Sequence, residues 1–376
     1  MLMKAVVLVG GQGTRLRPLT LTIPKPLIPL VNRPFQDHML YLLRTHGITD
    51  VVLAMGYLSQ GFQNAYGDGS HLGMKLTYVH EAEPLDTGGA IKNVQSHLTP
   101  GETFFVFNGD VLTDLDLTEM LRLHRDNGSV CTISLTAVED PSQYGVVDMD
   151  EAGRIQRFTE KPKRGEATSN WINAGTYILE PQVLDYIPAG QRYSVERGLF
   201  PTLLQDGKPL FGYRTSAYWM DIGTPEKYLQ AQADLLGSRL QSSLAPEGEL
   251  YAENVWVGEG SFISKGVALY GPVVIGRDCR IEEGVSITGP TVLGDGCYVG
   301  RQARLENMIA LKGVQIDARV NCSRCILGNG AHIGDDCRIE GMAIVGDNAT
   351  LGAHNYLTAS ARISPEVAIP DRAVFF

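Results

Sequence analysis

The chain has 376 residues, 44% hydrophobic and 20% charged, with a net charge of −10. This is ordinary globular composition, long enough for two cores, and it excludes a disordered chain. Acids and bases are interspersed, so there is no basic face to neutralise a phosphate backbone, and nucleic acid is excluded as an expected partner.

The opening MLMKAVVLVGG carries one lysine and a short apolar run ending in glycines, which reads as a strand over 4–9 and is too short for a secretion signal. Straight after it, GGQGTRLRPLTLTIPKPLIP at 10–29 threads glycines and cations between prolines. Glycines let backbone N–H groups approach phosphates and nearby cations neutralise their charge, so the stretch suits a phosphate cradle. It is neither a dinucleotide-binding GxGxxG, because Leu16 stands where the last glycine is needed, nor a Walker A loop.

Pro34 is expected to open a helix with Phe35, Met39, Leu42, Leu43 and His46 on one face, stopped by Gly47. Strands are expected at 50–54 (DVVLA), 76–80 (LTYVH) and 103–107 (TFFVF). The last of these runs into Asn108, Gly109 and Asp110, which puts Asp110 just past a strand's carboxyl end, where open α/β sheets bind ligands. Alternating strand and helix patterns over residues 1–236 imply an α/β domain. Periodicity is then lost over 237–250, a linker.

Residues 251–376 change character. Val257, Ile263, Leu269, Ile275, Ile281, Ile287, Leu293, Val299, Leu305 and Leu311 recur every six positions, and after a slip the pattern resumes from Leu327 to Ile369. An aliphatic residue at every sixth position, often followed by glycine, is the hexapeptide signature of a parallel β-helix. Its open ends and flat faces make a homo-oligomer through this domain the expectation. No apolar run of about 18 residues occurs, so neither a membrane span nor a membrane partner is expected. The six cysteines, without secretory features, suggest reduced thiols in the cytoplasm. Cys322 and Cys325 lack the second pair of ligands that a zinc site needs.

Taken together, GGQGTRLRPLT, PKPLIP, NRP, NGD at 108–110, YGVV at 144–147, FTEKP at 158–162, INAGTYIL at 172–179 and YWMDIGTP at 218–225 resemble the signature of the sugar nucleotidyltransferase family. That family joins a nucleoside triphosphate to a sugar 1-phosphate and expels pyrophosphate. The resemblance implies a Rossmann-like α/β domain with a mixed, mostly parallel sheet, followed by a left-handed parallel β-helix of hexapeptide repeats. EAEPLDTGGA at 81–90 and the repeat domain are most similar to mannose-1-phosphate guanylyltransferases, although Asp86 and Gly89 also fit heptose-1-phosphate guanylyltransferases.

The resemblance assigns roles. Gly10, Gly11, Gly13 and Thr14 would cradle the triphosphate, Arg15 its leaving β- and γ-phosphates, and Lys25 the α-phosphate. Asp110 and Asp221 would hold Mg²⁺ as the cofactor. Gly145, Glu160, Lys161, Asn173 and Gly175 would bind the sugar phosphate. Gly88 would lie under the base, with Glu83 five residues before it. Guanine offers N1–H and N2–H₂ side by side, which suit a carboxylate, so Glu83 points to GTP as the nucleotide. The slip by two onto Glu81 stays open, as do thymidylyl or uridylyl transfer to glucose 1-phosphate, acyl transfer using His332 or His354, and a noncatalytic nucleotide-sugar sensor.

Overall fold

The computed structural model describes residues 3–56, 60–240 and 244–375. Contacts divide the chain into two compact units. One comprises the residues up to Gly11 together with Met39–Asp221, the other Gln12–His38 together with Ile222 onward. The glycine-rich stretch is therefore shared between them.

The first unit is built on a nine-stranded sheet. Its strands are β1 (Lys4–Leu8), β2 (Asp50–Met55), β3 (Lys75–His80), β4 (Phe104–Asn108), β6 (Cys131–Ala137), β7 (Gly145–Met149), β8 (Ile155–Glu160), β9 (Trp171–Leu179) and β10 (Leu210–Arg214). A separate two-stranded ladder pairs β5 (Val111–Thr113) with β11 (Trp219–Asp221). Besides a short helix at Gln60–Tyr66, the helices are α1 (Phe35–Thr45), α2 (Asp86–Asn93), α3 (Leu117–Asp126), α4 (Phe200–Gln205) and α5 (Pro225–Leu236); the first turn of α1, up to His38, and all of α5 belong to the second unit.

Strands β3, β2, β1 and β4 run parallel in that order, and β9 turns the sheet antiparallel by pairing with β4, β6 and β7. The parallel strands are continuous apolar runs (AVV in β1, VVLAM in β2) because both sheet faces are covered. Val6, Val52, Phe104, Val106 and Tyr177 lie in one core beneath α2 and α4. Gly47 ends α1 with a φ of 75°, as the sequence suggests.

In the second unit, three stacks of eight, seven and six short strands form the parallel β-helix. All pairings are parallel except that of Glu249–Ala252 with Val255–Val257. The aliphatic columns fill its interior: Ile281, Val299, Ile316, Ile333 and Leu351 succeed one another in register, all essentially buried. The slip falls earlier than the sequence pattern suggests. Ala310, not Leu311, stands between Leu293 and Leu327 in the ladder, and Cys322 stands between Leu305 and Ile339. Two turns are one residue short, and small side chains occupy the column there. Cys322 and Cys325 are thus fully buried interior residues, and all six cysteines are unpaired thiols.

Candidate functional site

In the first unit, the carboxyl ends of four parallel strands converge. β1 runs out into Gly10 and Gly11, and Leu8 pairs with Asn108 at the end of β4. The Gly109 N–H donates to the Leu8 carbonyl at 2.9 Å, which holds the turn to Asp110 against the end of β1. Glu81 follows β3; its Oε1 lies 3.7 Å from where a Gly10 side chain would begin, and its Oε2 accepts from the Leu85 N–H at 2.9 Å. Burial pushes the Glu81 carboxyl up, against the pull of that backbone bond. Glu83 is exposed. Gly88 is buried on α2, against the Tyr193 ring.

The β5–β11 ladder sets Asp221 opposite Val111, so the two sequence-distant aspartates Asp110 and Asp221 end on neighbouring backbone positions. The Tyr144 hydroxyl donates to Asp221 Oδ1 at 3.5 Å and its ring meets Trp219 edge-on, while the Trp219 indole N–H donates to the Ala174 carbonyl at 2.8 Å. The edge that carries Asp110 and Asp221 and the strand carrying Asn173 and Gly175 are thereby locked together. Among the described residues no cluster of three or more His, Cys, Asp or Glu could hold an ion by itself. A carboxylate pair fits a hard cation that takes its remaining oxygens from phosphates and water.

Gly145 lies opposite Glu160 across the β7–β8 pairing. Lys161 follows with a φ of 47°; its ammonium is exposed, 3.7 Å from Glu160 Oε1. Gly175 takes a φ of 77° in β9, and a side chain there would strike Asn108 Nδ2 at 2.7 Å, so only glycine fits. Asn173 Oδ1 accepts from the Gly175 N–H and its Nδ2 donates to the buried Tyr177 hydroxyl, both at 2.9 Å.

Sequence reasoning missed several groups at this site. Glu196 Oε2 accepts from Thr87 Oγ1 at 2.9 Å and Ser194 Oγ at 2.8 Å, and the Val195 N–H donates to Thr87 Oγ1 at 2.9 Å, tying the segment beside Gly88 to residues 194–196. Burial first, then the Glu196 charge, raises the Glu160 carboxyl above the ordinary range. Glu196 lies in a short π-helix, Val195–Leu199, and no local pattern signals such a wide turn. Asn108 Oδ1 is buried without a partner, an acceptor at the end of β4. Its place in NGD was the available signal.

In the second unit, Gly13 adopts a φ of 59° at the start of a 3₁₀ turn, Thr14–Leu16, in which Thr14 and Arg15 are exposed. A side chain at Gly13 would meet Thr20 Cγ2 at 2.9 Å and Lys25 Cβ at 3.1 Å. Lys25 is buried in its own 3₁₀ turn, Lys25–Leu27, between Pro24 and Pro26. His332 and His354 sit half-exposed on the β-helix surface, 2.9 and 3.9 Å from the carboxylates of Asp317 and Asp336.

An α/β sheet with anion-friendly turns and a carboxylate pair at its carboxyl edge, joined to a β-helix, defines a class of protein that handles phosphorylated ligands. The comparisons narrow it. Residues 4–238 match the family described as nucleotidyl transferase, and residues 252–357 match a domain described as the EIF2B subunit epsilon LbH domain. The chain belongs to the nucleotidyl transferase family and is an enzyme of that kind. It is 40% identical over 317 residues to a mannose-1-phosphate guanylyltransferase of Mycobacterium tuberculosis, covering 84% of this chain and 81% of the relative. A UTP–glucose-1-phosphate uridylyltransferase of Synechocystis is 37% identical over 305 residues, covering 73% and 78%. Among solved structures, HddC from Yersinia pseudotuberculosis complexed with GMP-PN superposes with a TM-score of 0.54 at 30% identity, covering 62% of this chain and 99% of that one.

Proposed function

We propose that the protein transfers the guanylyl group of GTP to mannose 1-phosphate, giving GDP-mannose and pyrophosphate. The observation that carries this reading is the 40% identity to a mannose-1-phosphate guanylyltransferase over 84% of the chain. The guanine-nucleotide complex of HddC supports the choice of nucleotide.

The acceptor phosphate, with a second pKa of about 6, is already largely dianionic at neutral pH, so no general base is required. Alignment and charge neutralisation remain. Asp110 and Asp221 are the residues that would hold Mg²⁺, which supplies neutralisation of phosphate charge when bound. Lys25 binds the α-phosphate and Arg15 the leaving phosphates, while Gly10, Gly11, Gly13 and Thr14 offer backbone and hydroxyl donors to the triphosphate. Lys161 grips the sugar phosphate, Glu160 and Asn173 orient sugar hydroxyls, and Gly145 and Gly175 leave room for the ring. Gly88 lies under the base, and Glu83 reads guanine. The enzyme acts in the cytoplasm, where its unpaired cysteines stay reduced, and its β-helix carries a homo-oligomer contact. Among the described residues no helix is long and apolar enough to cross a membrane.

The test is Mg²⁺-dependent pyrophosphate release across GTP, UTP, dTTP and ATP against mannose, glucose and heptose 1-phosphates. Dominance of the GTP and mannose pair is expected. Dominance of UTP with glucose would transfer the protein to the activity named for the Synechocystis relative, and silence throughout would overturn the reading.

A further inference from the structure

The segment that carries Lys25 is pinned to the β-helix on both sides. Before it, Thr22 Oγ1 donates to Asp347 Oδ2 at 2.8 Å. After it, Asn32 Nδ2 donates to the Leu293 carbonyl at 2.8 Å. Leu293 and Asp347 belong to one corner of the β-helix: Leu293 ends the strand Thr291–Leu293 and Asp347 follows the strand Ile344–Val345, two strands of the same parallel sheet separated by two others. The intervening chain is stiff, with Pro24, Pro26 and Pro29 fixing backbone angles around Lys25.

Its far end is strained. Val31 and Asn32 have φ of 52° and 62°, and a left-handed conformation is unfavourable for a β-branched valine. External contacts hold it there: the Val31 N–H donates to Gln232 Oε1 at 2.6 Å, and the Tyr228 hydroxyl donates to the Pro29 carbonyl. Backbone strain of this kind persists where surroundings over-determine it.

Asp347 differs from its equivalents at the β-helix corners not in using its second oxygen, since Asp295 Oδ2 also accepts from Arg277, but in having a partner outside the repeat. Asp295 and Asn329 on the same corner, and Asp335 and Asp371 on another, each use Oδ1 to accept from a backbone N–H of the preceding turn, at 2.8–3.2 Å, and Asp347 Oδ1 does the same for Asn329 at 2.8 Å. That is the repeat's own stitching. The second oxygen of Asp347 is different: it accepts from Asn329 Nδ2 at 3.1 Å and from Thr22, on a side chain that is nearly buried. Nothing in the repeat requires Thr22.

We infer that the β-helix is a working part of the nucleotidyltransferase, with Asp347 and Thr22 as positioning residues that set where Lys25 meets the triphosphate. The inference rests on the reading of Lys25 as an α-phosphate ligand. It gives the repeat domain a role within its own chain, in addition to any role in assembly.

The experiment compares steady-state pyrophosphate release by full-length Thr22→Val, Thr22→Ser, Asp347→Asn and Lys25→Ala proteins. Thr22→Val keeps the side-chain shape and removes the donor. A hydrogen bond to a carboxylate lost in this way should raise the KM for GTP about tenfold, with the KM for mannose 1-phosphate changed less than about twofold. Thr22→Ser, which keeps the donor, should restore the GTP value. Asp347→Asn keeps the Oδ1 stitch, as Asn329 does naturally, and should reproduce the same selective defect. Its combination with Thr22→Val should be no worse than either alone. Equal changes in both KM values, or wild-type behaviour of Thr22→Val alongside an inactive Lys25→Ala, would overturn the positioning role. Full activity of Lys25→Ala would instead overturn the reading of Lys25, and the inference with it.

Discussion

The β-helix and the α/β sheet store information in opposite ways. Along the helix, Ile281, Val299, Ile316, Ile333 and Leu351 are interchangeable members of one column, and each does what its neighbours do. In the sheet no two site positions are alike. Gly175 is required by its φ and by Asn108 behind it, and Asp221 is singled out because a short ladder returns it to the backbone beside Asp110. In a repeat, chemistry shows itself as a departure from equivalence, of which Asp347 is the example. In the non-repeating sheet it shows itself as a conjunction of distant segments.

The largest effect that sharpens this contrast is at the carboxylate pair. Asp110→Asn keeps side-chain volume and removes a charge, so turnover should fall by about 10³-fold or more while the melting temperature stays near wild type. Near-normal turnover at saturating Mg²⁺ would break the assignment. Lys161→Ala should raise the KM for the sugar phosphate by about 10- to 100-fold, from loss of a charge-assisted contact, with the KM for GTP nearly unchanged. Parallel changes in both constants would make Lys161 a structural residue. Ile333→Ala should do the reverse. It opens a cavity in a fully buried column and should cost about 2–5 kcal/mol in denaturant unfolding, leaving kcat/KM intact at temperatures where the protein stays folded.

The same contrast explains what was legible in the sequence. Periodicity gave away the β-helix almost residue by residue, and failed only where two turns are a residue short and Ala310 and Cys322 fill the column. Strand ends at Gly10 and Asp110 were readable because apolar runs stop at glycine and aspartate. Three features were not readable. The π-helix that presents Glu196 accompanies close packing of Tyr193 against Gly88 and Gly198, contacts that leave no periodic trace. The bracing of Asp221 by Tyr144 and Trp219 joins segments far apart in sequence. The division between the two units falls inside the glycine-rich stretch, where composition does not change.

The smallest expected effect concerns base choice, and it separates two glutamates that the sequence leaves side by side. Glu81 is committed locally: one oxygen accepts from the Leu85 N–H, and burial raises its carboxyl. Glu83 is exposed, with no such commitment in the turn. Glu83→Gln should therefore lower the GTP-to-UTP preference about 10-fold, since an amide presents a donor to guanine where a carboxylate accepts. Glu81→Gln should instead weaken the turn and reduce kcat/KM for every nucleotide alike. The pH dependence adds a second axis. A raised carboxyl is protonated at a higher pH than an ordinary glutamate, so the ionised form that braces the turn is lost as pH falls through that raised value. Wild-type kcat/KM for GTP should then decline on the acid side at a pH above the usual glutamate range. Glu81→Gln should remove the part of that decline left after the loss of the acceptor phosphate's own dianion at a pH of about 6 is accounted for, and Glu83→Gln should keep it. If selectivity moved in Glu81→Gln and not in Glu83→Gln, the base reader would be the buried glutamate. Its raised pKa would then make guanine recognition itself sensitive to mild acid.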